Sequence, residues 1–473
     1  MKRNLLIPAS NEPSGCLQTF GDCREGQQPC CFAMGLLTCM VICLMGMLFL
    51  TGCEKKPEKA ADGRKKITLG AIYVSDSLKK EVAAFNKEDK EYQIEIKDYS
   101  ENANADPVTM LNTDILSGNT PDLIGLMQLP LEQYAGKGIL EDLTPYFEQD
   151  KDISEDDLLD SLVNAMKIDG KLYYLVSSFE VKTLVAGKKT VDSDKGWNYQ
   201  KMKQLLDTME DDMRALPYDS KNDRFINLMH FGGGYNEFVD WKEGSCNFDC
   251  QEFKDMLAIC NDGNDDTAAE EIASADEGNM LTSMLKNGKI LFVPGRITPD
   301  QILANRKMLG QDITCLGSYF SFSDTSDEVG IYAKSAVKEG AWRFLKRLVS
   351  REYQGENLLH FWDMPSRKDC IEDYIKTMTA TEGYTDEFGN VITPLSSVEC
   401  ADGNVVKTSP LGEADVELFR NFLNDTFQIT GYEQQIFTIL SEEVSDYFSG
   451  DKDLDETVSV IQNRVANYMN ERK

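Results

Sequence analysis

Apolar and polar positions follow two patterns along the chain, one typical of strands and one typical of amphipathic helices. Three segments carry strand patterns: 67–73 (ITLGAIY), 92–100 (YQIEIKDYS) and 121–126 (PDLIGL). Between them lie two segments with helical spacing, the first with Ser77 as its expected N-cap and the second over 106–118, with Pro107 early and Gly118 at its end. This order of strand, helix, strand, helix and strand predicts an α/β domain with a mostly parallel sheet.

Strand-like and helix-like segments continue through the rest of the chain. Segment 169–176 is hairpin-like, and 289–295 (KILFVPG) has the apolar run of a strand. The other segments with helical spacing are 198–213, 250–262, 280–288 and 340–350. From residue 429 to the end the pattern is again helical, with a break at 449–453.

The N-terminal region contains an apolar run that ends at a cysteine. Residues 31–50 are almost entirely apolar, and the chain becomes charged directly after Cys53. The run is long enough to span a bilayer, but Leu-Thr-Gly-Cys at its end resembles the bacterial lipobox, in which the cysteine receives a lipid. We therefore expect residues 1–52 to be a lipoprotein signal peptide, Cys53 to be lipidated and 53–66 to be a flexible tether. The alternative is an uncleaved anchor helix.

The charge of the chain excludes some partners. Its 473 residues carry a formal net charge of -31 at pH 7. An acidic surface repels nucleic acid phosphates and anionic membrane surfaces, so neither is expected as an electrostatic partner. Solubility is the simplest consequence of this charge.

The density of cysteines along the chain changes at Cys53. Seven of the thirteen lie at or before it, and the six that follow are too dispersed for a disulfide scaffold. Cys246 and Cys250 form the one close pair, which is compatible with a local disulfide or with two free thiols. A metal site is less favoured there, because no second cysteine pair or nearby histidine completes the ligand set.

The sequence carries no recognisable catalytic or cofactor motif. We find no nucleophile elbow, phosphate-binding loop, zinc-protease helix or dinucleotide fingerprint. We therefore expect no cofactor and no metal. A hydrolase with a pair of carboxylates stays possible, because a chain with 80 acidic residues offers many such pairs.

Segment 111–126 (LNTDILSGNTPDLIGL) contains the pattern Leu-x-Thr-x-Ile-x-x-Gly-x-x-Pro-Asp. This pattern resembles a signature of bacterial extracellular solute-binding proteins of the sugar ABC-importer type, related to maltose-binding protein. The other similar segments, in family order, are 138–150, 169–189, 196–206, 329–354, 361–369 and 439–471. Each match alone is weak, but together they cover most of residues 67–471.

The resemblance implies a two-lobe periplasmic-binding-protein-like fold of type II. Each lobe is expected to be a mixed sheet flanked by helices, with the ligand cleft between the lobes. The implied division is 67–178 plus 319–365 for lobe 1 and 179–318 plus 366–473 for lobe 2. Hinge closure around a small solute, with delivery to the transmembrane subunits of an ABC permease, is the implied mechanism.

The resemblance, together with the cysteine motif, also predicts the setting of the protein. We expect a monomer that is lipid-anchored on the outer face of the cell membrane of a bacterium, most simply a Gram-positive one. Its expected ligand is a carbohydrate or oligosaccharide. Two alternatives from other classes remain, a glycan-processing surface enzyme and a solute sensor without transport.

Candidate ligand contacts follow from the rule that loops at the carboxyl ends of strands meet the ligand. From the strand ends and the crossover segment, and from positions where relatives carry cleft residues, the candidates are Tyr73, Ser75, Asp76, Gln128, Phe179, Glu180, Phe231, Trp241, Arg296 and Tyr432. Arg296 stands near a position where relatives often carry tryptophan. Its guanidinium can stack or form paired hydrogen bonds with an anion.

Overall fold

The computed structural model describes most of the chain beyond the N-terminal region. It covers residues 57–471 apart from 102–104, 192–196, 210–212, 218–219, 241–242, 262–288, 324–325, 360–362, 401–404, 427 and 430–433. Cys53, Trp241 and Tyr432, the predicted signal peptide and the predicted helix at 280–288 lie outside the described residues. Among the described residues, no helix is both long enough and apolar enough to cross a membrane.

The first sheet has five strands in the order β2–β1–β3–β10–β4. These are β1 (Lys65–Ala71), β2 (Tyr92–Asp98), β3 (Leu123–Gly125), β4 (Tyr174–Leu175) and β10 (Val329–Ile331). β1 runs parallel to β2 and β3, whereas β10 runs antiparallel to β3 and β4. The α/β prediction is thus confirmed, and β10 is an antiparallel addition from much later in the chain.

The second sheet is built around a long strand, β5, and has the order β11–β5–β9–β16, with β8 also pairing with β5. Its strands are β5 (Ser178–Gly187), β8 (Phe292–Arg296), β9 (Ile313–Ser321), β11 (Met364–Pro365) and β16 (Gln428–Ile429). Three antiparallel pairs of short strands lie apart from both sheets. They are β6 (Val239–Asp240) with β7 (Ser245–Cys246), β12 (Tyr384–Thr385) with β13 (Val391–Ile392), and β14 (Ser397–Glu399) with β15 (Val405–Lys407).

Helices occupy much of the remaining described chain. In order they are α1 (Asp76–Glu88), α2 (Pro107–Ser117), α3 (Leu131–Gly136), α4 (Thr144–Gln149), α5 (Asp160–Met166), α6 (Tyr199–Leu206), α7 (Lys221–Phe231), α8 (Gln251–Asn261), α9 (Pro299–Leu309), α10 (Lys338–Leu348), α11 (Arg351–Glu356), α12 (Lys368–Thr379), α13 (Glu413–Asp425), α14 (Gln434–Ser449) and α15 (Leu454–Glu471). The predicted break between the last two helices is confirmed. The helix predicted over 198–213 is shorter, ending at Leu206.

The start of α1 differs from the prediction. Ser75, not Ser77, is the N-cap, and its Oγ accepts a hydrogen bond from the Leu78 backbone N–H at 3.0 Å. The hydroxyl satisfies one of the amides that the first helical turn leaves without a partner. The folded structure also begins before the predicted end of the tether, because the Lys66 backbone N–H donates to the Glu58 carbonyl at 2.8 Å.

The apolar side chains on the two faces of β5 pack into two different cores. Phe179, Val181 and Val185 belong to a large apolar core that includes the first sheet, whereas Leu184 and Ala186 pack into a second core. The second core is built with helices α6, α7, α8, α14 and α15. Because successive side chains of a strand point to opposite faces, Glu180 and Lys182, which alternate with Val181, share the face of the second core.

Among the described strands, the chain passes between the two sheets from β4 to β5, from β9 to β10, and from β10 to β11. Serine hydrogen bonds join them to one another. The Ser177 backbone N–H donates to the Ser326 carbonyl at 2.8 Å, and the Ser366 backbone N–H donates to the Ser177 carbonyl at 3.2 Å. Ser366 Oγ also donates to the Val176 carbonyl at 2.8 Å. The crossover segments therefore form one bonded group that both sheets share.

Candidate functional site

The main cavity of the described structure has a volume of about 1710 Å³. Its wall includes Tyr73, Gln128 and Glu328 from the first sheet and its loops, and Lys182 and Ser321 from the second sheet. The short β6–β7 pair and the end of α15 contribute further wall residues. The cavity therefore lies where residues from both sheets meet, beside the crossover segments.

A β-bulge in β9 sets the second-sheet side of the cavity. The register between β5 and β9 changes from Lys182 opposite Tyr319 to Leu184 opposite Leu316, so β9 carries one extra residue. The extra residue places Tyr319 and Ser321 on the same face as Lys182. Gly317 adopts φ +69 at this point, where a Cβ would lie 2.7 Å from the Tyr319 ring. A side chain at position 317 would therefore displace the aromatic ring.

An ion cluster stands on the same face of the second sheet. Glu180 is 3% exposed, and its carboxylate lies 2.9 Å from Lys182 Nζ and 2.6 Å from Arg296 Nε. Lys182 and Arg296 are direct cross-strand neighbours in β5 and β8. One buried carboxylate thus holds two cations, of which Lys182 lines the cavity and Arg296 is largely exposed. Glu180 and Arg296, two of the predicted contacts, belong to this cluster. Through it they hold Lys182 at the cavity wall.

Aromatic and imidazole rings from the end of α7 pack beside the ion cluster. The His230 ring stacks on Phe437 with centroids 5.9 Å apart, and His230 lines the cavity. Burial, helped by the positive charge of Lys182, lowers the pKa of His230. The ring is therefore neutral at pH 7. Phe231, the predicted contact, packs against the second core with Lys182 Nζ 5.8 Å from its ring centroid.

The first-sheet side of the cavity presents an aromatic ring and polar groups. Tyr73 follows β1, is 43% exposed and lines the cavity. Gln128 is exposed on the wall and adopts φ +60, a left-handed conformation that is uncommon for a residue with a side chain. A turn closed by the Leu129 backbone N–H and the Leu126 carbonyl, at 2.9 Å, surrounds it.

Three predicted contacts are placed elsewhere. Phe179 is fully buried and packs edge-to-face on Phe320, with ring centroids 5.2 Å apart. Its position on β5 points it to the core face, opposite to its neighbour Glu180. Ser75 is buried as the cap of α1, and Asp76 is exposed in the first turn of that helix. These residues belong to the structure behind or beside the wall.

Sequence reasoning missed several wall residues, among them Lys182, Glu328, Ser321 and His230. Lys182 was detectable in principle, because it is two positions beyond Glu180 on a strand and shares its face. Ser321 depends on the bulge, which no local pattern reveals. Glu328 precedes β10, a three-residue strand too short for a recognisable alternation.

A cavity between two α/β sheets that are joined by several crossover segments is the architecture expected of a two-lobe binding protein. No protein-family model matches the chain, and no curated protein sequence matches it. Solved structures do match. An ABC substrate-binding protein from Listeria monocytogenes in complex with cycloalternan is 17% identical with a TM-score of 0.49, over 86% of this chain and 99% of that chain.

Two further solved structures are similar over comparable lengths. The sugar-binding protein MalE from Xanthomonas citri is 13% identical with a TM-score of 0.49, over 86% of this chain and 98% of that chain. An ABC transporter solute-binding protein from Agrobacterium vitis with bound D-mannitol is 17% identical with a TM-score of 0.47, over 86% and 98% of the two chains. All three are binding proteins of the kind that the sequence motifs resemble.

Proposed function

We propose that the protein is the extracellular solute-binding component of an ABC importer and that it binds a carbohydrate between its two sheets. The observation that carries this proposal is the cavity of about 1710 Å³ with wall residues from both sheets. Pockets for drug-sized ligands measure roughly 300–1,000 Å³, so this space favours an oligosaccharide over a single small sugar. The sequence motifs support the same class of protein.

The chemistry of the wall suits a polyhydroxylated solute. The exposed ring of Tyr73 offers an apolar face to a sugar ring. Carboxylates such as Glu328 and Glu237, and the ammonium group of Lys182, offer charge-assisted hydrogen bonds to hydroxyl groups. A micromolar site requires a net binding free energy of about -8 kcal/mol, which a stacked ring and several such bonds can supply.

Closure of the cavity is the proposed working step. A solute that touches Tyr73 on one side and Lys182 on the other gains both sets of contacts only when the sheets approach each other. The crossover segments form the hinge, and the permease recognises the closed form. The lobes are proposed as 67–178 plus 319–365 and 179–318 plus 366–473, within a monomer.

Isothermal titration calorimetry tests this function. We expect micromolar binding of at least one neutral sugar from a panel of maltotriose, cellotriose, xylotriose, chitotriose and D-mannitol. Small-angle X-ray scattering should show a smaller radius of gyration with the bound sugar, because closure makes the molecule more compact. Chromatography should recover the sugar unchanged, since we infer a binding protein rather than an enzyme.

Two results would contradict this function. Failure of a folded sample to bind any sugar of the panel would remove the carbohydrate assignment. Steady conversion of a bound sugar, lost on substitution of one wall carboxylate, would instead favour a glycan-processing enzyme. Binding without any change in the radius of gyration would contradict the closure step alone.

The proposed location is the outer face of the cell membrane, through lipid on Cys53. Replacement by Cys53→Ser removes the thiol that forms the thioether, so we expect complete loss of lipid labelling and release of the protein or accumulation of its precursor. Metabolic labelling with a fatty acid and fractionation of cells measure both. Cys246→Ser is the matched control, and labelling of Cys53→Ser at the normal level would overturn the assignment.

A further inference from the structure

The Glu328 carboxylate is a cavity-wall group without a bonded partner among the described residues. It lines the main cavity and also a small adjoining cavity of about 20 Å³, and its side chain is partly buried. Within the described part of the chain, the carboxylate makes no hydrogen bond and no ion pair. A partly buried acceptor has lost some of its hydration, so a ligand that donates to it supplies the missing hydrogen bond.

The backbone around Glu328 is held firmly in place. Its carbonyl accepts a hydrogen bond from the Leu126 backbone N–H at 2.8 Å. The next residue, Val329, begins β10 and pairs with Gly125 of β3. The carboxylate is therefore presented from the start of β10, an inner strand of the first sheet, close to the loop that carries Gln128.

The electrostatic surroundings of Glu328 favour a donor rather than an anion. Burial, and then the negative charge of Glu132, raise the pKa of Glu328 to about 7. Three lysines line the cavity, and two of them bind carboxylates, Lys167 at 2.6 Å from Glu155 and Lys182 at 2.9 Å from Glu180. The charge that acts on Glu328 is the negative one of Glu132, so a ligand carboxylate placed beside these two groups would be repelled.

We propose that Glu328 is a ligand-binding residue that accepts hydrogen bonds from the hydroxyl or amino groups of the solute, and that Asp327 is its positioning residue. This inference rests on the proposed function and narrows it to solutes without a negative charge at this wall. Neutral oligosaccharides and amino sugars meet the condition, whereas uronic acids do not.

The positioning role of Asp327 follows from its contacts. Its side chain is buried and its backbone adopts φ +49, in the left-handed region. Ser75 Oγ donates to Asp327 Oδ1 at 2.8 Å, and Tyr353 Oη lies 3.4 Å from Oδ2. These contacts from the start of α1 and from α11 hold an uncommon backbone conformation, which sets the direction of the following residue, Glu328.

Proton linkage gives the inference a measurable consequence. The titratable groups around Glu328 are Glu132 on α3, Tyr174 on β4 and Asp327 beside it, and burial raises the pKa of Asp327 to about 7 as well. Donors from a solute stabilise the ionised carboxylate, so binding lowers the pKa of Glu328. Affinity is then highest above about pH 7 and falls as the pH drops below that value, by at most about tenfold per unit.

Calorimetric titration with maltotriose at pH 6 and pH 8 tests the assignment. If another neutral sugar of the panel binds more tightly than maltotriose, that sugar is used instead. For the wild type we expect stronger binding at pH 8. Glu328→Gln should weaken binding at pH 8 by about tenfold or more, since a neutral amide replaces a charge-assisted acceptor, and should flatten the pH profile. Glu148→Gln removes the same charge from an exposed position on α4 and should change neither result.

Asp327→Asn separates positioning from direct contact. We expect weaker binding at both pH values with the pH difference retained, in a protein whose circular dichroism spectrum is unchanged. A purely structural role would alter thermal stability and leave binding by the folded protein intact. That outcome would overturn the positioning assignment while leaving the Glu328 contact standing.

Other outcomes separate this inference from the function on which it rests. Wild-type affinity and pH dependence in Glu328→Gln would overturn the contact, although sugar binding itself would stand. A trisaccharide of galacturonic acid that binds as tightly as the neutral sugar would overturn the charge preference. Lack of binding by every sugar at both pH values would overturn the function and this inference together.

Discussion

Phe179→Ala is expected to lower the free energy of unfolding by about 3–5 kcal/mol, the usual cost of removing a buried aromatic ring. The ring is fully buried and packs edge-to-face on Phe320 at 5.2 Å. The cavity left by the ring can collapse only slightly, because Phe179 lies at the start of β5. There β5 is held by β11 on one side and by β9 on the other. Urea denaturation followed by circular dichroism measures the change as a lower midpoint with a similar slope.

Tyr73→Ala is the matched comparison for this result. Both aromatics were candidate ligand contacts, but Tyr73 is 43% exposed on the cavity wall. We expect its substitution to weaken sugar binding and leave the unfolding midpoint almost unchanged. If Phe179→Ala unfolded like the wild type and lost only binding, the placement of Phe179 in the core would be wrong.

Glu180→Gln should also destabilise the protein strongly, by about 1–3 kcal/mol. The variant keeps the shape of the side chain but leaves Lys182 and Arg296 as directly opposed cations on neighbouring strands. Removal of one partner from a buried ion pair costs about 3–5 kcal/mol. We expect less here, since the Lys182 and Arg296 side chains are 21% and 49% exposed and water screens their charges.

A neighbouring carboxyl should offset part of this loss. Burial raises the pKa of Asp363, with the negative charge of Glu180 acting in the same direction and Arg296 acting against it. Without Glu180, Asp363 ionises at lower pH and supplies a new counter-charge. The destabilisation of Glu180→Gln should therefore be smaller at pH 8 than at pH 5 in thermal unfolding.

Glu372→Gln is the control for Glu180→Gln. Glu372 forms an ion pair with Arg420, and both side chains are about half exposed, at 56% and 47%. Exposed pairs of this kind contribute little, so its thermal unfolding should match that of the wild type. Equal effects of the two substitutions would show that the Glu180 cluster behaves as an ordinary surface pair.

Local patterns predicted the first sheet well because its early strands and helices follow one another along the chain. β1, β2, β3 and the helices between them each carry their own hydrophobic period, and each was recognised. The strand β10 was not, because its neighbours β3 and β4 are distant in sequence and its three residues are all buried. Non-local pairing of a short strand leaves almost no trace in a single sequence.

Predicted contacts line the cavity where the end of a strand fixes the position of a residue. Tyr73 and Gln128 reach the cavity because they follow β1 and β3. Phe179 and Glu180 are adjacent in sequence but face opposite sides of β5, so their different surroundings depend on a sheet face that the sequence did not assign. Ser75 is buried as the cap of α1, and a serine before a helix has the same sequence pattern whether it serves as a cap or as a ligand contact.

The bulge at Gly317 means that the second-sheet side of the cavity depends on the register of β9 against β5 as well as on residue type. If β5 and β9 paired without the bulge and the chain length stayed the same, β9 beyond Leu316 would turn over, with Tyr319 and Ser321 inward and Phe320 outward. Changes that abolish the bulge in this way would thus alter the cavity wall and the core together. Substitutions within an intact β9 can change specificity one residue at a time, which makes them the safer route for diversification and for design.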